Sequence, residues 1–429
     1  MAATVLAAGI IVGPALGPAA AVDSIRDQQW HLDVMKASEI WKISKGQGIT
    51  VAVIDSGFRL DHPDLSGQFL PGKDLSGLSG GVGEDRTGHG TQMAGLIAGT
   101  GRGMNGKGAY GLAPGARLLP IKIKNNSNSD IDVPAAEFLG QIARAIVYAA
   151  EQGAKVISIS QGSSVSSVTS SDVAALRSAV AYAGGKGALV IASVGNSAQV
   201  GNPVEFPGAI PFVLGVGAVD RSGMVTEESE QGLQVDLAAP GVDIYSACSA
   251  SSGYCKGHGT SDATALVSAS AALLWAVHPE WSANQVVRVL INTAGKPTDG
   301  SDRNDIVGYG IVRPRVALTE PGDPGPADVY PIPEQAVGES SPAPSSAAPS
   351  SAVPAAPVSP SGSSGVPGEG KAVGEAAGSG GVVPVVAAVA GGLVLVAGGV
   401  AFVVVRRRSA RPGAAGVPPL PPSGNPYVR

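Results

Sequence analysis

Four residues of this chain could together break an acyl bond, and each stands where such groups are held rigidly. Asp55 ends the β-branched run "ITVAVID" at residues 49–55, so its carboxylate sits at the tip of a buried strand. His89 lies between two glycines in "TGHGTQMAGLIAG", ahead of a helix of small residues. Asn196 follows an apolar run in "ASVGNSA", and Ser261 follows Gly259 and Thr260 at the start of the most apolar helical stretch. Singly, each has a plainer reading. A strand-end aspartate can serve a turn, a lone loop histidine is usually structural, Asn after Gly favours a turn, and serine is a preferred helix N-cap. As a set they supply an orienter, a general base, a donor to a developing oxyanion and a nucleophile, which are the parts of acyl transfer.

Those four need a scaffold that brings distant segments together. Strand patterns fall at residues 49–55, 116–122, 156–160, 188–194 and 212–218. Helical patterns fall between and after them, at residues 89–99, 134–152, 171–183, 261–278 and 282–293. The last opens with Ser282 and has Gln285 three positions on, a capping box. Alternation of this kind predicts an α/β fold, a parallel sheet covered by helices on both faces. In such sheets, sites gather at the carboxyl ends of the strands, where Asp55 and Asn196 fall.

The order Asp, His, Asn, Ser, carried by "AVIDSG", "GHGTQMAG", "SVGN" and "GTS", resembles the subtilisin-like serine proteases, the subtilases, over about residues 46–294. That resemblance implies a subtilisin-like doubly wound parallel sheet and a serine endopeptidase. It makes Asp55, His89 and Ser261 the catalytic triad and Asn196 the oxyanion donor. Two further segments are similar, "LDHPDL" at residues 60–65 and "SISQGSS" at residues 158–164. In the family the second is a strand edge that pairs with extended peptide, which implies that Ser160, Gln161 and Gly162 line the substrate cleft.

The letters GHGT occur twice, at residues 88–91 and 257–260. A base must reach the serine from another element while its second nitrogen meets the aspartate. His258 is three residues before Ser261 on the same loop, so His89 is the expected base. Subtilases usually carry Met or Phe after the serine and a proline further on; here Asp262 and Ala265 occupy those places. An acidic residue in a first helical turn suits the helix dipole. The sharper reading is that Asp262, a carboxylate beside the nucleophile, lowers the reactivity of the serine or selects basic substrates.

The chain has 429 residues, 29 basic and 34 acidic, and no basic stripe with interleaved aromatics, so nucleic acid is not an expected partner. Residues 2–21 form a short apolar run ending Ala19-Ala20-Ala21, which reads as a signal peptide over residues 1–21. An N-terminal extension covers residues 22–45 and the peptidase domain residues 46–319. Residues 320–381 turn to Pro, Ala, Ser and Gly and cannot bury enough surface to order themselves, so they read as a disordered linker. Residues 382–405 carry no charge and are long enough, at about 36 Å as a helix, to span a bilayer. Arg406, Arg407 and Arg408 follow, which sets the tail at residues 406–429 in the cytoplasm and the peptidase domain outside the cell membrane. In such an exported domain Cys248 and Cys255 are expected as a disulfide, with two free thiols as the alternative. No metal and no cofactor is expected.

The short extension, the cysteine loop before the serine, the linker and the single span together resemble the mycosins, membrane-anchored subtilases of type VII (ESX) secretion systems. That resemblance implies a polypeptide substrate and contact with components of the secretion complex. The alternative is a catalytically weak subtilase fold kept as a structural subunit of that complex.

Overall fold

In this computed structural model the described residues are 24–124, 133–164 and 168–333. The expected signal peptide, transmembrane span and tail, and the linker beyond residue 333, lie outside them. After two short helices, α1 (Trp30–Val34) and α2 (Ala37–Ile40), the chain enters β1 (Thr50–Asp55), β2 (Lys73–Asp74), α3 (His89–Ala98), a single turn α4 (Gly103–Gly106) and β3 (Arg117–Lys122). It continues through α5 (Ala135–Glu151), β4 (Val156–Ile159), β5 (Ser163–Ser164), α6 (Ser170–Gly185), β6 (Leu189–Ser193), β7 (Glu205–Phe206), β8 (Val213–Val219) and β9 (Leu237–Pro240). The hairpin β10 (Ile244–Ala247) and β11 (Tyr254–Gly257) leads into α7 (Thr260–Val277), followed by α8 (Ala283–Asn292) and α9 (Pro314–Thr319). Seven strands form one sheet in the order β2-β3-β1-β4-β6-β8-β9, each described pairing parallel.

Strand parity divides the core. Val51, Val53, Val156, Leu189 and Ile191 face a cluster with residues of α3, α7 and α8, whereas Ala52, Ile54, Ile157, Ile159 and Val190 face one with α5 and α6. Both faces are therefore buried, which is why these strands read as continuous apolar runs. The same parity sends Asp55, two residues after Val53, to the α3/α7 face.

Each expected strand and helix is present, with ends shifted by a residue or two. The sequence patterns missed the short helices α1, α2, α4 and α9, the two-residue strands β2, β5 and β7, and β9 with the β10–β11 hairpin. Strand β9 is four residues ending in proline at the edge of the sheet, where a missing N–H costs nothing.

Two expected boundaries move. Residues 24–45 are part of the globule: buried Gln29 donates to the carbonyls of Tyr110 (2.8 Å) and Tyr245 (3.0 Å) and accepts from Tyr110 N–H (2.9 Å). Trp30 Nε1 donates to Val242 O and Ser44 Oγ to Leu273 O. At the other end, folding continues past Thr319. Arg288 of α8 donates to the carbonyls of Pro324, Pro326 and Val329, Ser282 Oγ donates to Ala327 O, and Ile332 is buried. Composition alone put these residues in the linker because they are proline-rich. Their carbonyls are held by an arginine fork that composition does not register.

Gln29→Ala should remove three buried hydrogen bonds and leave the Tyr110 and Tyr245 groups without partners. The expected cost is about 2–4 kcal/mol of unfolding free energy, read from urea titration of the full chain.

Candidate active site

The carboxylate of Asp55 is fully buried and held on several sides. Ser56 N–H (2.7 Å) and Ser56 Oγ (3.2 Å) donate to its Oδ1. His89 Nδ1 stands 2.8 Å from Oδ1 and 2.9 Å from Oδ2. With its proton on Nδ1 the ring donates to the carboxylate and keeps Nε2 as its basic nitrogen. His89 is the first residue of α3 and remains 27% exposed at its side chain.

The glycines around it have a packing cause. A Cβ on Gly90 would lie 2.1 Å from Gly57 O and 3.1 Å from Asp55 Cβ, so α3 can start against the strand end only with glycine there. Asp85 ties the same turn, accepting from Gly88 N–H (2.9 Å), Thr91 N–H (3.2 Å) and Thr91 Oγ1.

Ser261 is the second residue of α7, 7% exposed, with its carbonyl accepting from Ser160 Oγ at 3.1 Å. Asn196 sits across from it. Its Oδ1 accepts from Thr260 N–H (2.8 Å) and Thr260 Oγ1 (3.1 Å), which leaves its Nδ2 as the group free to donate into the cleft. No hydrogen bond joins Ser261 to His89 in this structure.

Of the expected cleft residues, Ser160 reaches Ser261 and Gln161 reaches the aspartate. Gln161 Nε2 lies 3.3 Å from Asp55 Oδ1 and 3.1 Å from His89 Nδ1. An Nδ1–H already donating to Asp55 cannot also accept, so the useful amide contact is with the carboxylate. The resemblance gave Gln161 a place on the cleft edge. That its side chain turns inward to the aspartate was not legible. The second histidine goes elsewhere: His258 is 71% exposed and its Nδ1 lies 3.0 Å from both oxygens of Glu228.

Cys248 and Cys255 are joined as a disulfide across the β10–β11 loop, with Cα atoms 5.7 Å apart. That loop backs the start of α3, since a Cβ on Gly88 would lie 3.0 Å from Ser249 Oγ. It also anchors the "LDHPDL" segment, for His62 Nε2 stands 2.7 Å from Gly253 O.

Asp262 is the residue that sequence reasoning placed but did not explain. It is fully buried and faces α3 rather than water: Gln92 Nε2 donates to its Oδ1 at 2.8 Å, and its Oδ2 has no hydrogen-bond partner. Burial pushes this carboxyl up to about 7, against the pull of His89 and Gln92. His89 is raised to about 9: burial opposes its charge, but the attraction and hydrogen bond of Asp55, then Asp262 and Asp85, outweigh that. His258 is raised by its hydrogen bond to Glu228.

Residues 46–310 match the model of the subtilase family (peptidase S8). Mycosin-1 of Mycobacterium tuberculosis is 32% identical over 342 residues, 70% of this chain and 75% of that protein. Thermitase of Thermoactinomyces vulgaris is 34% identical over 274 residues, 63% of this chain and 89% of its own. Among solved structures, MycP1 from Mycobacterium smegmatis superposes with a TM-score of 0.60 at 28% identity, covering 70% of this chain and 86% of its own. A chain in the intact ESX-5 inner membrane complex gives 0.60 at 28%, covering 78% and 84%.

Asp262→Asn removes one of the negative charges that hold the proton on His89. The His89 titration followed by NMR should move down from about 9, and more than in Asp243→Asn, whose carboxylate pairs with Lys256 instead. An unchanged His89 titration would mean that Asp262 does not act on the ring.

Proposed function

Because the chain belongs to the subtilase family of serine proteases, and within it is related to the mycosins, we propose that it is a membrane-anchored serine endopeptidase acting beside a type VII secretion complex. Ser261 is the nucleophile, His89 the general base, Asp55 its orienter and Asn196 the oxyanion donor. The observation that carries this reading is the Asp55–His89 pair at 2.8 Å, on the same sheet face as the helix that begins with Thr260 and Ser261.

The chemistry follows from the hydrogen bonds. Asp55 keeps the ring proton on Nδ1, so Nε2 takes the Ser261 hydroxyl proton as Oγ attacks the peptide carbonyl carbon. Negative charge then develops on the carbonyl oxygen. Asn196 Nδ2 and the Ser261 N–H in the first turn of α7 are the donors for it. His89 Nε2 returns the proton to the leaving amine, and a water molecule repeats the sequence to release the acyl group. Ser160, Gln161 and Gly162 hold the peptide in extended form by main-chain pairing.

The second half of the proposal, place and partner, rests on the uncharged run at residues 382–405 with its trailing arginines and on the likeness to chains of the ESX-5 inner membrane complex. Helix α7 also has the length and composition of a membrane span, but it is 89% buried inside the domain and is a core helix. The anchor is therefore assigned to residues 382–405, with the peptidase domain outside the cell and residues 406–429 inside.

Covalent labelling of the detergent-solubilised full chain with a fluorophosphonate probe tests the site. Wild type and His258→Ala should label, whereas His89→Ala and Ser261→Ala should lose labelling by about a thousandfold or more. Asn196→Ala should slow it by about 10²–10³. Folded wild type that fails to label would instead fit a structural subunit of the secretion complex.

A further inference from the structure

Two carboxyl groups, one fully buried and one half-buried, lie against the segments that carry Gln161 and Asn196, and the proposed reaction uses neither. Glu230 is fully buried; its Oε1 accepts from Ser197 N–H at 3.3 Å and its Oε2 has no hydrogen-bond donor. Glu205, half-buried on β7, pairs across the antiparallel β5–β7 ladder with Ser164, just beyond Gly162. The two carboxyl groups are within hydrogen-bonding reach of each other. A carboxylate has no donor, so this contact is a hydrogen bond only when one of the two holds a proton. Burial raises both, Glu230 to about 8 with the charge of Glu205 adding to it. Among the described residues no lysine, arginine or histidine forms an ion pair with either glutamate.

Their position relative to the reacting groups is defined by two glycines. A Cβ on Gly162 would lie 2.7 Å from Glu205 Oε2, and a Cβ on Gly195 would lie 2.4–2.6 Å from the Glu230 carboxyl atoms. Gly162 follows Gln161, which touches Asp55 and His89, and Gly195 precedes Asn196, which touches Thr260 beside Ser261. At each of these two glycines a carboxyl group thus occupies the space that a side chain would take.

We propose that Glu205 and Glu230 determine specificity, forming an acidic recess that takes the lysine or arginine side chain of the substrate residue whose carbonyl Ser261 attacks. This rests on the assignment of Ser261 and of the Ser160, Gln161 and Gly162 edge made above. The cation takes the place of the proton held between the two acids: the ammonium or guanidinium donates to both carboxylates, and the displaced proton leaves to solvent. An uncharged side chain of the same length would leave the pair protonated and Glu230 Oε2 without a donor. Discrimination therefore comes from a buried polar group that only one class of substrate can satisfy, the arrangement that gives the largest selectivity.

Calorimetric binding to the Ser261→Ala full chain tests this without requiring turnover. The ligands are two peptides identical except for lysine or norleucine at the recognised position. The lysine peptide should bind at least about tenfold tighter at pH 7 and should release close to one proton, measured from the heat in two buffers of different ionisation enthalpy. In the Glu205→Gln/Glu230→Gln double variant both the preference and the proton release should disappear. Equal binding of the two peptides by the Ser261→Ala chain, or a lysine preference that survives in the double variant, would overturn the assignment. Because fluorophosphonate labelling does not depend on this recess, labelled wild type with no lysine preference would remove the acidic recess and leave the serine protease reading in place.

Discussion

Helix α7 is buried on every side, and its burial fixes the geometry on which the site depends. From Thr260 to Trp275 its residues are all buried, so the hydroxyls beyond its first turn cannot turn to water. Thr264 Oγ1 donates to Thr260 O and Ser270 Oγ to Leu266 O within the helix, whereas Ser268 Oγ donates to Ser158 Oγ of β4 and so fixes the register of helix against sheet. The last bond ties the helix to the strand whose continuation carries Ser160. Ser160 in turn bonds the carbonyl of Ser261. A helix pinned this way cannot slide or rotate against the sheet without breaking buried hydrogen bonds. The serine at its first turn is thereby held against the same sheet face as Asp55.

Charge around His89 is arranged in a corresponding way. Three carboxylates influence one imidazole, each from a different element: Asp55 at the end of β1, Asp85 in the loop before α3, and Asp262 in α7. Asp55 is the one in direct contact with the ring, and it alone fixes which nitrogen carries the proton. Asp85 is occupied in tying the first turn of α3, and Asp262 is tethered by Gln92 of that helix. The ring is thus oriented by one acid and made more basic by all three. The exposed His258 has a single carboxylate partner, Glu228, and no contact with this network beyond the charge of nearby acids.

Much of this was readable in the chain because it depends on local pattern. Buried strands show as apolar runs, the Ser282–Gln285 capping box marks α8, and a carboxylate at the tip of "AVID" can point only to one face or the other. Parity cannot say which face, and nothing local says that Gln161 will turn inward to Asp55 or that Asp262 will meet Gln92, 170 residues away in sequence. Those contacts exist because sheet order brings β1, β4 and β6 side by side. How the N-terminal extension meets the domain was not legible for the same reason. Its hold on the domain is Gln29 bonding two distant backbone segments, an interaction with no sequence period.

Buried acids in this fold are of two kinds, and the difference follows location. Asp64 is completely buried and completely served: Gly103 N–H (2.6 Å) and Ala109 N–H (2.9 Å) donate to its two oxygens. An acid bonded in that way has its buried oxygens satisfied and braces the loops around it. Asp262 and Glu230 are just as buried, yet each keeps one oxygen without a donor, and burial drives both carboxyls toward holding a proton near neutrality. A core under no other demand would replace such groups with apolar side chains, since an unserved buried acid costs stability and contributes nothing to packing. Here one lies beside Ser261 and the other behind Gly195, next to Asn196. An unserved carboxyl oxygen beside the segments that carry Ser261 and Asn196 marks a polar demand that packing alone does not explain.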